Sequence, residues 1–129
     1  MFRGTGTALV TPFKQDQSVD YDAFQKIINQ QLDGGVDALI VIGTTGESPV
    51  IELDERKKII SLVVEEVKGK IPVIVGTGTN NTKKVIELNS QAEEFKADGV
   101  LIVNPYYNKE HRRVLLSTIN SFLRERISQ

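Results

Sequence analysis

The chain has 129 residues and a formal net charge of −1 at pH 7, with 40% hydrophobic residues. This balance is typical of a globular domain; it offers no basic excess for nucleic acid and no apolar run long enough to span a membrane. Cysteine is absent and His111 is the only histidine, which excludes disulfides, thiolate catalysis and cysteine metal sites. We therefore expect one cytoplasmic domain without a metal or cofactor.

Four apolar runs rich in β-branched residues alternate with four amphipathic helical patterns. The strands are predicted at residues 5–10, 38–42, 71–75 and 99–103. The first three helices are predicted to begin at Asp20, at Asp54, and at Asn81 or Thr82. A last helical pattern runs from Val114 to Ile127. The predicted order is βαβαβαβα.

Two architectures fit this order. Nearly continuous apolar strands are typical of a parallel sheet that is covered on both faces. Each βα unit takes about 30 residues, close to one eighth of a TIM barrel of ~250 residues. A doubly wound sheet accommodates four such units as well. In both architectures the glycine- and hydroxyl-rich stretches follow the carboxyl ends of strands, where active sites are built.

The stretch Gly-Thr-Thr-Gly-Glu-Ser at residues 43–48 directly follows the second strand. A glycine-flexed turn can direct several backbone N–H groups and two hydroxyls at one carboxylate or phosphate. An ordinary strand-to-helix turn is the alternative interpretation. No lysine follows the glycines, so the stretch is not a P-loop, and Gly76-Thr77-Gly78 lacks the third glycine of a dinucleotide fingerprint.

A second informative stretch, Pro-Tyr-Tyr-Asn-Lys, follows the fourth strand at residues 105–109. A phenol can transfer a proton or pack an interface, and spacing alone favours packing for Tyr106 and Tyr107. Lys109 is a candidate Schiff-base amine, but a catalytic lysine normally has its pKa lowered by burial. Its polar surroundings indicate a solvated charge instead.

Taken together, four motifs resemble the family of dihydrodipicolinate synthase and N-acetylneuraminate lyase over residues 1–109. They are Gly-Thr-x-x-Ala-Leu-Val-Thr-Pro-Phe near the start, Gly-Thr-Thr-Gly-Glu-Ser, Val-Gly-Thr-Gly-Thr-Asn, and Pro-Tyr-Tyr-Asn-Lys. The resemblance implies the first four βα units of a (β/α)8 TIM barrel. It also implies a lyase that condenses pyruvate with aspartate semialdehyde in lysine biosynthesis, through a Schiff base on a sixth-strand lysine. Another pyruvate-dependent aldolase or lyase of this family is the alternative.

The resemblance assigns roles to four residues of the proposed site. Thr45 and Gly46 would hold the pyruvate carboxylate. Thr44 would join a proton relay with Tyr107, which in the family reaches across a dimer interface. The resemblance therefore implies a homo-oligomer, a dimer or a tetramer, with pyruvate as its small-molecule partner.

A second group of positions matches the neighbourhood of the family's lysine-feedback site. Ser48, Asn80 and Tyr106 match residues of that region, whereas Leu53 and Arg56 stand where histidines are found in the family. We therefore do not expect feedback inhibition by lysine.

Beyond Lys109 the chain is predicted to continue as a divergent helical tail at residues 110–129, which a frameshift in the gene would explain. The fifth-strand tyrosine and the Schiff-base lysine have no counterpart in it. Four parallel strands also leave the last strand with an unpaired edge. We carry three hypotheses: part of a pyruvate-dependent lyase that is inactive alone, a non-catalytic half-barrel interaction subunit, or a different enzyme that uses Lys109.

Overall fold

Four short parallel strands alternate with three helices in residues 2–107, the region of the chain that the computed structural model describes. The strands are β1 (Gly6–Ala8), β2 (Ala38–Val41), β3 (Val73–Gly76) and β4 (Gly99–Leu101). The helices are α1 (Tyr21–Asp33), α2 (Leu53–Val67) and α3 (Thr82–Glu94). The predicted fourth helix, Lys109 and His111 lie outside the described residues.

The sheet has the strand order β1-β2-β3-β4, and every neighbouring pair is parallel. Ala8, Ile40, Ile74 and Gly99 are register partners across the four strands. Parallel crossovers are right-handed, so sequential strands place all their helices on one face. A doubly wound sheet would reverse the strand order, and this alternative is excluded. The fold is the first four βα units of a TIM barrel, which confirms the prediction.

The two faces of the sheet differ in burial. Leu39, Val41, Val73 and Val75 are fully buried, and they share one core with apolar side chains of the helices, namely Phe24, Ile28, Ile59, Ile60, Val63 and Val67. On the opposite face, Ile40 and Ile74 are only half-buried. The helices therefore cover the outer face, while the face that would line a barrel interior is open.

Each helix begins at a residue whose side chain satisfies a free backbone N–H. Asp20 Oδ1 accepts from Ala23 N at 3.0 Å, and Asn81 Oδ1 accepts from Lys84 N at 3.3 Å. The predicted start of α2 at Asp54 is wrong. Glu52 is the N-cap, and it forms a reciprocal capping box with Glu55.

The buried outer face predicts a large cost for truncating Leu39, which is fully buried. Leu39→Ala should lower the free energy of unfolding by about 2–5 kcal/mol, because it leaves a cavity between β2 and the helices. Urea denaturation followed by circular dichroism measures this. Leu53→Ala, at a half-exposed leucine, is the control and should cost far less. Equal costs for the two variants would contradict the assignment of the core.

Candidate active site

The turn at residues 43–48 lies at the carboxyl end of β2 and closes on itself through backbone hydrogen bonds. Gly46 N donates to Gly43 O, and Glu47 N donates to Thr44 O, both at 3.1 Å. Ile42 enters the turn with φ of 55°. A β-branched residue in this region is strained and is tolerated only where the surrounding structure holds it.

Thr44 and Thr45 are exposed residues of this turn whose hydrogen-bond donors are not used within residues 2–107. Both are exposed, and within residues 2–107 neither their N–H groups nor their hydroxyls have a hydrogen-bond partner. The N–H of Gly46 is already used inside the turn, and Gly46 itself is buried. The turn thus offers two adjacent backbone donors and two hydroxyls to a ligand, and Gly46 contributes shape.

Thr11, which follows β1, fixes this turn from the side. Its hydroxyl donates to Gly46 O at 2.8 Å, and the side chain is 5% exposed. From the sequence, Thr11-Pro12 was placed with the other stretches that follow strand ends on the active face, but no contact was predicted for Thr11. The position of Thr11 indicates that it lies near this turn, because a hydroxyl placed directly after a parallel strand lies at the same edge of the sheet as the other turns.

Gly76, the last residue of β3, supports the turn from the other side. A Cβ atom at Gly76 would lie 2.1 Å from Ile42 O and 2.8 Å from Gly43 Cα. Gly78 has the same role between β3 and β4, because its Cβ would lie 2.3 Å from Val103 N. The backbone of each turn therefore packs directly against the next, which is possible because glycine has no side chain.

Arg56 holds the end of β3 from helix α2. Its Nη2 donates to Gly76 O at 2.7 Å, and only 4% of the residue is exposed. Burial lowers the pKa of Arg56 to about 10, so the guanidinium stays charged at neutral pH. Within residues 2–107 its Nε and the buried hydroxyl of neighbouring Thr77 lack hydrogen-bond partners. This contact was not predicted from the sequence, because burial of an arginine is rare.

The remaining predicted residues are spread along the same edge. Ser48 begins a short 3₁₀ turn, Ser48–Val50, and Asn80 is an exposed residue between β3 and α3. Tyr106 and Tyr107 meet edge to face, with ring centroids 6.0 Å apart. Tyr107 has φ of 62° and a fully exposed side chain. Within residues 2–107 no hydrogen bond joins Tyr107 to Thr44.

Residues 2–107 do not support a metal site, a catalytic lysine on a strand or a helix that spans a membrane. This region of the chain holds no group of three acidic, histidine or cysteine residues that could bind a metal ion. None of its four strands contains a lysine. None of its helices is long and apolar enough to cross a membrane.

The model of the dihydrodipicolinate synthetase family matches residues 1–123. The chain belongs to this family. A 4-hydroxy-tetrahydrodipicolinate synthase from Thermotoga neapolitana is 60% identical over 109 residues, which cover 84% of this chain and 37% of the relative. A dihydrodipicolinate synthase from Acinetobacter baumannii, solved in complex with pyruvate, is 31% identical with a TM-score of 0.93. The similarity covers 96% of this chain and 43% of that structure.

The similarity to the dihydrodipicolinate synthetase family extends beyond residue 109 in some comparisons. A 4-hydroxy-tetrahydrodipicolinate synthase from Fervidobacterium nodosum is 46% identical over all 129 residues, which cover 44% of that relative. The resemblance seen in the four motifs therefore does not end at Lys109, although the Thermotoga alignment covers 109 residues. The division of the chain at residue 109 stays a prediction. The chain spans less than half the length of the relatives that it matches.

The Thr11 contact generates a prediction about the turn. Thr11→Val should lower the free energy of unfolding by about 1–3 kcal/mol, because it leaves the buried Gly46 carbonyl without its donor. Thr11→Ser keeps the hydroxyl and should retain most of the stability. Denaturation curves and the amide NMR signals of residues 43–48 report both effects. If the valine variant is as stable as the wild type, with unchanged signals, Thr11 does not hold the turn.

Proposed function

We propose that this chain supplies the carboxylate-binding portion of the pyruvate site in a 4-hydroxy-tetrahydrodipicolinate synthase. One observation carries the proposal: the turn at residues 43–48 exposes unpaired N–H and hydroxyl groups of Thr44 and Thr45. A small carboxylate needs several convergent donors, and backbone amides in a rigid turn supply them with little ordering cost. The relatives named synthases and the related structure solved with pyruvate support this choice of ligand.

In this proposal Thr45 donates to the pyruvate carboxylate through its N–H and its hydroxyl. Gly46 contributes by shape, since its carbonyl is held by Thr11 and its own N–H closes the turn. Binding of this kind would hold one end of the keto acid and leave its carbonyl carbon free to react. Orientation of this kind lowers the entropic component of a reaction barrier.

Thr44 and Tyr107 form the proton relay in this proposal. A phenol hydroxyl can both donate and accept a hydrogen bond, so it can pass a proton along a chain of hydroxyls. Tyr107 is fully exposed and is not bonded to Thr44 in its own chain. In this proposal Tyr107 of a second subunit completes the relay, as the family resemblance implies.

The covalent chemistry is assigned to a region of the enzyme outside residues 2–107. The family reaction begins with a Schiff base between pyruvate and a strand lysine, and none of the four described strands carries one. We infer that this chain alone binds pyruvate weakly and does not catalyse its condensation with aspartate semialdehyde. The proposed setting is cytoplasmic lysine biosynthesis.

The proposal does not include feedback inhibition by lysine. Ser48, Asn80 and Tyr106 match the feedback region, but Arg56 is engaged with Gly76 O in the interior and is not free to contact a ligand.

The second candidate function is a non-catalytic half-barrel subunit. The exposed apolar residues of β4 favour it, because such a surface is suited to contact with another polypeptide.

Titration of the 15N-labelled chain with pyruvate tests the proposal. We expect saturable shifts of the Thr44 and Thr45 amide signals, because both donors are free in the unliganded turn. Thr45→Val removes the hydroxyl donor and should weaken binding about tenfold, since a hydrogen bond to a charged group contributes about 1.5–3 kcal/mol. Ser61→Ala, on helix α2 away from the turn, is the matched control and should bind like the wild type.

Two outcomes would contradict the proposal. Pyruvate methyl ester lacks the carboxylate, so equal shifts with the ester would show that the turn does not recognise that group. Treatment with pyruvate and borohydride should leave no covalent adduct on this chain. A stable pyruvate adduct on Lys109, located by mass spectrometry, would support the different enzyme that uses this lysine.

A further inference from the structure

Arg56 is a buried cation that no carboxylate within residues 2–107 neutralises. Only 4% of the residue is exposed, and it forms no ion pair in this region of the chain. Its Nη2 donates to Gly76 O, which is a neutral acceptor. Burying a charge without a counter-charge costs free energy, and a neutral donor would satisfy the same carbonyl without that cost. The hydrogen bond to Gly76 therefore does not explain why this residue is charged.

The position of Arg56 in helix α2 adds to the cost. It is the fourth residue of Leu53–Val67, and its N–H donates to Glu52 O in the first turn. The amino-terminal end of a helix carries a partial positive charge, which disfavours a cation there. Glu55 forms no ion pair with Arg56, and its carboxylate accepts instead from Glu52 N and Val19 N. Neither the helix nor the nearby acidic side chain accounts for the charge.

One hydrogen bond and one backbone contact connect the guanidinium to the turn at residues 43–48. Gly76, whose carbonyl accepts from Arg56, lies directly against Ile42 O and Gly43 Cα. The space between consists of packed backbone, where the effective dielectric constant is lower than in water. A charge in this position acts on the turn with less screening by salt than a charge on the surface does.

The turn itself has no positive charge with which to select an anion. Its available donors are the N–H groups and hydroxyls of Thr44 and Thr45, which serve a neutral acceptor as well as a carboxylate. Glu47, in the same turn, is exposed and acidic, so its side chain opposes the binding of an anion. A preference for carboxylates therefore needs a cation nearby, and Arg56 is connected to the turn.

We propose that Arg56 makes the turn at residues 43–48 prefer an anionic 2-oxo acid over a neutral ligand of the same shape. It acts through the intervening backbone and does not touch the ligand, so it is a specificity-determining residue and not a catalytic one. The buried charge is then a cost in stability that is offset when the carboxylate binds. This inference rests on the proposed function, because it concerns the ligand that the turn binds.

Pyruvate and pyruvamide separate charge from shape, because the amide is neutral and otherwise similar. In NMR titrations at about pH 6, where a lysine of moderately lowered pKa is still protonated, the wild-type chain should bind pyruvate more tightly. Arg56→Met should reduce this preference about tenfold, as expected for charges that interact at an effective dielectric constant of about 20. Arg56→Lys keeps a positive charge and should retain most of the preference.

Lys58→Met is the matched control, because it removes an exposed cation from the same helix and should leave the preference unchanged. If Arg56→Met does not fold, Arg56→Gln removes the charge, keeps an amide donor and allows the same comparison. The inference is wrong if loss of the charge weakens both ligands equally, if Arg56→Lys loses the preference as fully, or if the wild type does not distinguish the ligands. Absence of saturable pyruvate binding to the wild-type chain would instead overturn the proposed function, and this inference with it.

Discussion

Direct backbone contact between successive turns is the constraint on which the candidate site depends. Ile42 O and Gly43 Cα lie against Gly76 so closely that no side chain fits at that position. Gly78 allows the same approach to Val103. These contacts set the turn after β2 at a fixed height above the sheet. They also explain why Ile42 can keep a strained φ of 55°, since the surrounding backbone leaves it no room to relax.

Two buried polar side chains complete this arrangement. Thr11 and Arg56 each donate to a backbone carbonyl of a site-forming turn or strand end, Gly46 O and Gly76 O. Both carbonyls belong to glycines that pack against other backbone. With the carbonyls satisfied from within, the free donors of Thr44 and Thr45 remain available at the surface. The same close packing that fixes the scaffold therefore leaves the ligand-binding groups uncommitted.

Much of the fold could be predicted from the sequence because the local signals were strong. β-branched runs between glycines placed the strands, and Asp20 and Asn81 marked two helix starts correctly. The start of α2 was missed because a Glu52–Glu55 capping box looks like an ordinary charged stretch. Strand order could not be read from spacing alone, and the family motifs were needed to favour a barrel over a doubly wound sheet.

The candidate site was only partly predictable. The glycine and threonine residues of the 43–48 turn stood out, because the motif is local. The contacts of Thr11 with Gly46 and of Arg56 with Gly76 join residues 35 and 20 positions apart, so no short pattern reveals them. That β4 has no partner strand on its outer edge within residues 2–107 was expected from the count of four strands.

A Gly76→Ala substitution tests the central claim most directly, with Gly43→Ala as the comparison. A Cβ at Gly43 would be 3.8 Å from Ile40, an ordinary contact, whereas one at Gly76 would overlap the Ile42 carbonyl. Gly76→Ala should lower the free energy of unfolding by about 1–3 kcal/mol and shift the amide signals of residues 42–48. Gly43→Ala should leave the stability nearly unchanged. If both variants match the wild type in stability and in the spectrum of the turn, the close backbone approach does not set the site.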